Sequence, residues 1–374
     1  MAANKIENAP MVELGELIEI CDTRNTAKQY GIDDVCGMTI EKEIIPTKAD
    51  VKDTDLSKFY IVQPQEFVYN PRTHGRKIGL GFNNSNKPIL ISWNNTAFKA
   101  KDINRVIPTY LYMIFTREEW DREACFNSWG SSTVVFAWED FCKMKIPLPS
   151  IETQKELVAV YNGLKELAEE NEKLLKPLSK SCEAFIVDCK KKYTAVMLKN
   201  KIEECKERNS DLLYGVEYLQ GVTSEGKFDE SKANTDGLDF SNYKIVYKNN
   251  FAYNPSRINV GSIALSSKEN AIVSPMYIVF KITDNDLIPE YLKLWFSRKE
   301  FQRSTYFYAM GSVRDTFDFN LMQEVQIPLP PKEVQQKIVD LYNCYEECKR
   351  IANEAREKIS NLCPALVQKA AHAY

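Results

Sequence analysis

The sequence predicts an α+β fold written twice: two tandem globular units, each followed by a long coiled-coil helix, forming a pseudo-twofold internal repeat. Three observations carry this reading. First, Ile146-Pro147-Leu148-Pro149 returns as Ile327-Pro328-Leu329-Pro330, an offset of 181 positions (327 minus 146). Second, the rest of the unit returns with it. Ile107-Pro108-x-Tyr110-Leu111 and Gly130-Ser131 match Ile288-Pro289-x-Tyr291-Leu292 and Gly311-Ser312 at the same offset. Phe67-Val68-Tyr69-Asn70-Pro71 matches Phe251-Ala252-Tyr253-Asn254-Pro255 at an offset of 184 (251 minus 67), as Arg24-Asn25 and Tyr30-Gly31 match Arg208-Asn209 and Tyr214-Gly215. Small loop deletions absorb the drift, so a whole unit was duplicated. Third, the grammar changes after each Ile-Pro-Leu-Pro, from strands and turns to long helix. A period of about 180 residues is too long for a solenoid and suits a domain plus its connector.

The elements follow in chain order, with a first globular unit over residues 1–149. Short β-rich runs at Phe59 to Val62, Phe67 to Tyr69, Ile89 to Ser92 and Ala97 to Lys99 alternate with Gly, Asn and Pro punctuation. Pro108 to Arg122 has helical spacing, with Tyr110, Leu111, Ile114 and Phe115 on one stripe, and its copy is Pro289 to Arg303. A first long helix is expected over 150–194, where Leu157, Tyr161, Leu164, Leu167, Asn171, Leu174, Leu178 and Phe185 keep an approximate heptad. The second globular unit takes 195–330. The second long helix takes 331–374, with Ile338, Leu341, Tyr345, Cys348, Ala352, Ala355, Ile359, Leu362 and Leu366 on its stripe. Pro177 and Pro364 fall inside these helical patterns, where a missing N–H and a ring clash predict a bend or break. Asn171, opposite Ala352 in the repeat, is either a register-fixing polar residue or the edge of the seam.

Composition bounds the function. A net charge of −3 and a pI near 5.8 supply no global basic field, so any nucleic-acid binding must come from local patches. Ten cysteines without a CxxC pair, two distant histidines and no apolar leader or membrane run predict reduced thiols in a cytoplasmic protein, without disulfides or zinc.

Catalytic signatures are missing from the sequence: it has no Gly-rich phosphate loop, HExxH or GxSxG. Asn70-Pro71 and Asn254-Pro255 resemble part of the Asn/Asp-Pro-Pro-aromatic motif of amino-methyltransferases, but lack its second proline and its aromatic, so they read as strand ends. The chain is therefore not expected to be an enzyme. The better candidate sites are the loops that follow. Asn70, Arg72, His74, Arg76 and Lys77 in the first unit face Asn254, Ser256, Arg257, Asn259 and Ser262 in the second. Arg and Lys donate to guanine or phosphate, and Asn pairs bidentately with adenine. The Gly-Ser loops add Ser131 and Ser132 against Ser312 and Arg314, small hydroxyls that let backbone approach a phosphate, with an arginine to read guanine. Lys190 to Lys192 form a basic run that either contacts phosphate or ends a solvated helix.

Taken together, these residues resemble the specificity (S) subunit of type I restriction-modification systems. Gln326-Ile327-Pro328-Leu329-Pro330-Pro331-Lys332-Glu333-Val334-Gln335-Gln336-Lys337-Ile338-Val339 and its partner from Lys145 to Val158 carry the likeness, each leading into a long helix. The resemblance covers essentially the whole chain. It implies two target recognition domains, each reading half of a bipartite double-stranded DNA site. It also implies two antiparallel helices that space them and dock two methyltransferase subunits. Those subunits would bring S-adenosylmethionine, leaving this chain without a cofactor, and motor-nuclease subunits would complete the complex. Individual base contacts do not transfer, because recognition domains diverge there. Helix geometry agrees: about 26 residues at about 1.5 Å each give roughly 39 Å, against about 34 to 36 Å for one DNA turn. The alternatives are a two-domain protein–protein adaptor without DNA binding, which the acidic total favours, and a solitary methyltransferase, which the missing motifs disfavour. The paired Asn/Arg loops favour DNA.

Overall fold

The computed structural model describes residues 9–74, 77–130, 134–230, 237–309 and 316–371. The chain divides into two compact units, residues 1–171 with 350–374, and residues 172–349.

The first unit runs β1 (Met11–Glu13), α1 (Leu14–Leu17), β2 (Ile18–Cys21), β3 (Cys36–Met38), β4 (Ile44–Pro46), β5 (Tyr60–Val62), β6 (Phe67–His74), β7 (Lys77–Phe82), β8 (Ile89–Ile91) and β9 (Thr96–Ala100). Then come α2 (Pro108–Phe115), α3 (Glu118–Phe126), α4 (Trp138–Lys143), β10 (Lys145–Pro147) and the start of α5 (Ile151–Lys192). Its central sheet is antiparallel in the order β2-β9-β6-β7, flanked by the pairs β3-β4, β5-β8 and β1-β10.

The second unit repeats this strand for strand. It runs β11 (Ala195–Met197), β12 (Ile202–Glu204), β13 (Gln220–Val222), β14 (Phe228–Glu230), β15 (Lys244–Tyr247), β16 (Phe251–Tyr253), β17 (Ile263–Leu265), β18 (Asn270–Val273) and β19 (Ile278–Ile282). It closes with α6 (Pro289–Phe296), α7 (Lys299–Ala309), α8 (Phe319–Glu324), β20 (Gln326–Pro328) and the start of α9 (Lys332–Ala371). The sheet order is β12-β19-β16-β17, with pairs β13-β14, β15-β18 and β11-β20.

The duplication reaches into the core. The Phe67 ring stacks on Phe98 at 5.1 Å and meets Phe115 edge-on at 5.6 Å; Phe251 stacks on Phe280 at 5.0 Å and meets Phe296 at 5.7 Å. These offset and edge-to-face pairs add to the area their rings bury.

Sequence periodicity predicts one helix from Pro108 to Arg122, and the fold makes two. Pro108 and Pro289 sit at the first helical turn, where a missing N–H costs nothing. After α2 the chain turns extended at Arg117, and α3 starts afresh with Glu118, Glu119 and Asp121 in its first turn, where carboxylates favour the positive end of the helix dipole. The copy breaks in the same place, between Phe296 and Lys299. No glycine or proline marks the break, which is why periodicity misses it.

A buried glutamine ties each globular part to its long helix. Gln154 is fully buried; its Oε1 accepts from Ile107 N at 2.9 Å, and its Nε2 donates to Arg105 O at 3.1 Å and Pro149 O at 2.9 Å. Gln335 repeats the clamp on Ile288 N, Asp286 O and Pro330 O at 2.9, 2.7 and 2.8 Å. Tyr110 and Tyr291 donate to the carbonyls of Pro147 and Pro328, each at 2.8 Å. These bonds satisfy backbone groups of the Ile-Pro-Leu-Pro segments and of the loops before α2 and α6.

Leu157 and Tyr161 near the start of α5 share the first core with Cys363, Val367 and Ala370 near the end of α9. Cys189 near the end of α5 shares the second with Ile338 and Val339 near the start of α9. In each unit, the start of one long helix packs with the end of the other. Both run unbroken through Pro177 and Pro364, so neither proline ends its helix. Pro177 is exposed, which leaves its freed carbonyl partner open to water. The heptad also needs correction. On α5, Leu167, Leu174 and Phe185 are exposed while Ala168, off the predicted stripe, is buried; on α9, Ala352 and Ala355 of the predicted stripe are buried and Leu362 is exposed. Asn171 donates to Leu167 O of its own helix at 2.8 Å rather than across a seam.

Candidate nucleic-acid interface

Strand β6 loses its ladder register between Tyr69 and Thr73, and the bulge accommodates Pro71. Asn70 closes the bulge by accepting from Arg72 N at 2.9 Å, while the Pro71 carbonyl accepts from Phe136 N at 2.7 Å. Arg72 is left exposed. His74 lies in the same strand, with its backbone in register with Lys77. Lys77 is partly tied down by Glu41, at 2.9 Å.

The second unit uses the same local chemistry. Asn254 accepts from Ser256 N at 3.0 Å, and the Pro255 carbonyl accepts from Phe317 N at 3.0 Å. Here the chain closes into a tight turn over Ile258–Val260, capped by Gly261 at φ 94°. Only glycine fits, since a Cβ would lie 2.3 Å from the Ser224 carbonyl. Ser256 and Arg257 are exposed and Asn259 is half-buried. Asn254 and Ser262 are buried, and the Ser262 hydroxyl donates inward to Val222 O at 3.0 Å. Asn254 and Ser262 therefore shape the turn, while Ser256 and Arg257 form its outer surface.

Trp129, at the start of the first Gly-Ser loop, pairs its backbone with Val135, which also bridges to Arg72. The Asn-Pro loop of the first unit is thereby bridged to Trp129 and Val135, although the segments are far apart in sequence. Arg76, Ser131, Ser132, Ser312 and Arg314 lie outside the described residues. The basic run is engaged within its own unit: Lys190 meets Glu300 at 3.0 Å and lies over the Trp295 ring, and Lys192 meets Asp188 at 2.7 Å. Arg24 and Arg208 of the repeated scaffold hold backbone instead, donating to Lys58 O at 2.9 Å and Asn242 O at 2.7 Å.

Thus two units of the same topology each carry an Asn-capped loop that exposes an arginine. The sequence model for the type I restriction modification DNA specificity domain matches residues 6–178 and again 199–361. The chain belongs to that family. Each S-subunit specificity domain covers one of the two repeats together with part of its long helix, and membership gives the chain a role in DNA specificity. The fold is similar to the crystal structure of the type I restriction-modification system S subunit from M. genitalium, at TM-score 0.59 and 13% identity, covering 99% of this chain and 98% of that one. The HsdS subunit from Thermoanaerobacter tengcongensis also matches, at TM-score 0.42 and 15% identity over 97% and 96% of the two chains. Comparison with curated proteins finds no match. Among the described residues, no helix is long and apolar enough to cross a membrane, and no group of His, Cys, Asp and Glu is arranged to hold a metal ion.

Gln154 and Gln335, which position both specificity domains on their helices, are not singled out by motif reading. Their signal is the 181-residue offset combined with a polar residue at a junction that must be buried.

Proposed function

We propose that this chain is the non-catalytic specificity subunit of a type I restriction-modification complex, with each domain reading one half of a bipartite DNA target. The observation that supports it most is the twofold occurrence of the DNA specificity domain. Each copy presents an exposed arginine, Arg72 or Arg257, on the loop after its Asn-Pro. Arg72 corresponds to Ser256 in the repeat and Arg257 follows one position later, so the two copies place different donors at the same loop. Different donors imply two different half-sites.

In this reading the long helices dock two methyltransferase subunits, which supply S-adenosylmethionine and the chemistry, and motor-nuclease subunits add cleavage. Val160 and Leu167 on α5 are exposed although apolar, which suits a helix that acquires a further partner. The complex acts in the cytoplasm on double-stranded DNA.

Methylome sequencing of the host with and without the gene tests the proposal. Loss of one split methylation motif, together with co-purification of a methyltransferase on the tagged chain, is the expected result. An unchanged methylome with a non-methyltransferase partner would move the assignment to the protein–protein adaptor.

A further inference from the structure

Helices α3 and α7 present an exposed phenylalanine at equivalent positions, offset by 181 (307 minus 126). Phe126 is 82% exposed and Phe307 63%. Four residues earlier, each helix carries an exposed arginine, Arg122 and Arg303, at the same offset. Positions four apart share a helix face, so both units show Arg beside Phe. The residues between have all changed: Glu123, Ala124 and Cys125 stand where the copy has Ser304, Thr305 and Tyr306.

Folding does not explain the pair. A ring this exposed adds nothing to either core, and Arg122 meets Glu119 at 3.4 Å in a surface pair of little worth. Position links it to the arginine loops. Helix α7 packs on the turn Ile258–Val260 that follows Arg257, and its outer face carries Lys299 one turn before Arg303. In the first unit, α3 leads through Asn127 and Ser128 into Trp129, which joins Arg72 through Val135. Trp129 is itself 71% exposed.

We propose that Arg122 with Phe126, and Arg303 with Phe307, are equivalent DNA contacts in which each arginine holds a backbone phosphate and each phenyl ring stacks against a base step of the half-site read by its own unit. This rests on the DNA reading proposed above. Every base has a π-face and every nucleotide a phosphate, so stacking and phosphate contacts serve any target. Hydrogen bonds to base edges must change whenever the target changes. One occupant met twice in equivalent poses accounts for a pair that survived duplication while the reading loops diverged. Stacking also makes binding sensitive to how easily the base step opens, a source of specificity without hydrogen bonds.

The test uses the full-length chain, a duplex selected by the wild type from a randomised pool, and a salt series. Replacing Phe126→Ala with Phe307→Ala should weaken binding about ten-fold or more at unchanged salt dependence. Replacing Arg122→Ala with Arg303→Ala should lower the slope of log affinity against log salt by about one per arginine. The tryptophan replacements Phe126→Trp and Phe307→Trp should retain affinity and gain fluorescence that DNA quenches, and they keep the test open if the alanine variants fold poorly. Wild-type affinity in the alanine variants, or tryptophan fluorescence that DNA leaves unchanged, would overturn the proposal. Loss of methyltransferase co-purification with DNA binding intact would overturn it too, assigning the rings to protein docking. A wild-type chain that selects no sequence at all would instead remove the DNA reading itself.

Discussion

Lys42 Nζ lies 2.6 Å from Asp121 Oδ1, with the lysine side chain only 3% exposed. Asp121 also accepts from Ile78 N at 3.0 Å, so the pair ties the β3–β4 turn to α3 and β7. Burial pushes the Lys42 ammonium below its usual pKa, against the pull of the Asp121 hydrogen bond and charge. Lys42 adopts φ 67°, and its counterpart 184 positions on is Gly226 at φ 70°; Asp121 corresponds to Gln302. The second unit solves the same turn without the buried lysine–aspartate pair, with glycine at the left-handed position.

That contrast predicts a stability pattern. Asp121→Gln alone leaves a buried ammonium without its countercharge, with only the Ile78 carbonyl to accept from it, and should cost about 3–5 kcal/mol. The double variant Lys42→Gly with Asp121→Gln copies the second unit and should recover most of that loss. Urea unfolding of the two variants against wild type measures it; equal losses would mean that the two residues are not coupled.

The glutamine clamps give a second prediction. Gln154→Leu removes three hydrogen bonds of a buried side chain and should cost about 3 kcal/mol at about 1 kcal/mol each. Gln154→Glu should be worse, because a carboxylate oxygen would face the Arg105 and Pro149 carbonyls that Nε2 now serves. Gln335→Glu should behave alike in the second unit. Thermal unfolding ranks the three, and a glutamate variant as stable as wild type would refute the donor assignment.

For the reading loops, Arg72→Ala or Arg257→Ala should weaken specific binding by about 1–3 kcal/mol if a base contact is lost. If only a phosphate contact is lost, the salt slope should fall by about one instead. Binding isotherms at several salt concentrations distinguish the two, and no change in either quantity would return these loops to solvent.

Acid should weaken the second unit through Asp284. The Lys201 ammonium beside it, and then the Asp286 amide, hold its carboxyl below the usual carboxylate range. A carboxyl whose folded pKa is depressed contributes stability above its unfolded value, about 3.9, and that contribution disappears as pH falls through the folded value. Asp284→Asn should therefore lower stability near neutral pH and match wild type at strongly acidic pH. A difference independent of pH would rule out the ion pair as the cause.

A graft tests the bipartite reading. Placing Arg24 to Phe141 where Arg208 to Met322 stands gives two identical readers, and with antiparallel helices these should select an inverted repeat with the wild-type gap. Methylome sequencing of a strain carrying the graft should show a palindrome; an active graft with an asymmetric site would count against the pseudo-twofold arrangement.

Duplication, fold class and the two long helices are legible in the sequence, because an Ile-Pro-Leu-Pro repeated at a fixed offset and a change from strand to helix grammar are local patterns. So is the Asn-Pro loop, whose side chain bonds two residues ahead in both copies. Other features depend on which groups the fold brings together or covers. Arg117 turns extended between α2 and α3, which pack into one core through Phe115 and Trp120, and periodicity alone joins them. Leu167 and Leu174 read as seam residues yet lie exposed, while Ala168, off the stripe, is buried. Spacing along one helix cannot say which face its partner covers. The partnership of Lys42 with Asp121 is likewise tertiary. A lysine and an aspartate 79 positions apart carry no mutual signal until burial removes the water that each would otherwise prefer.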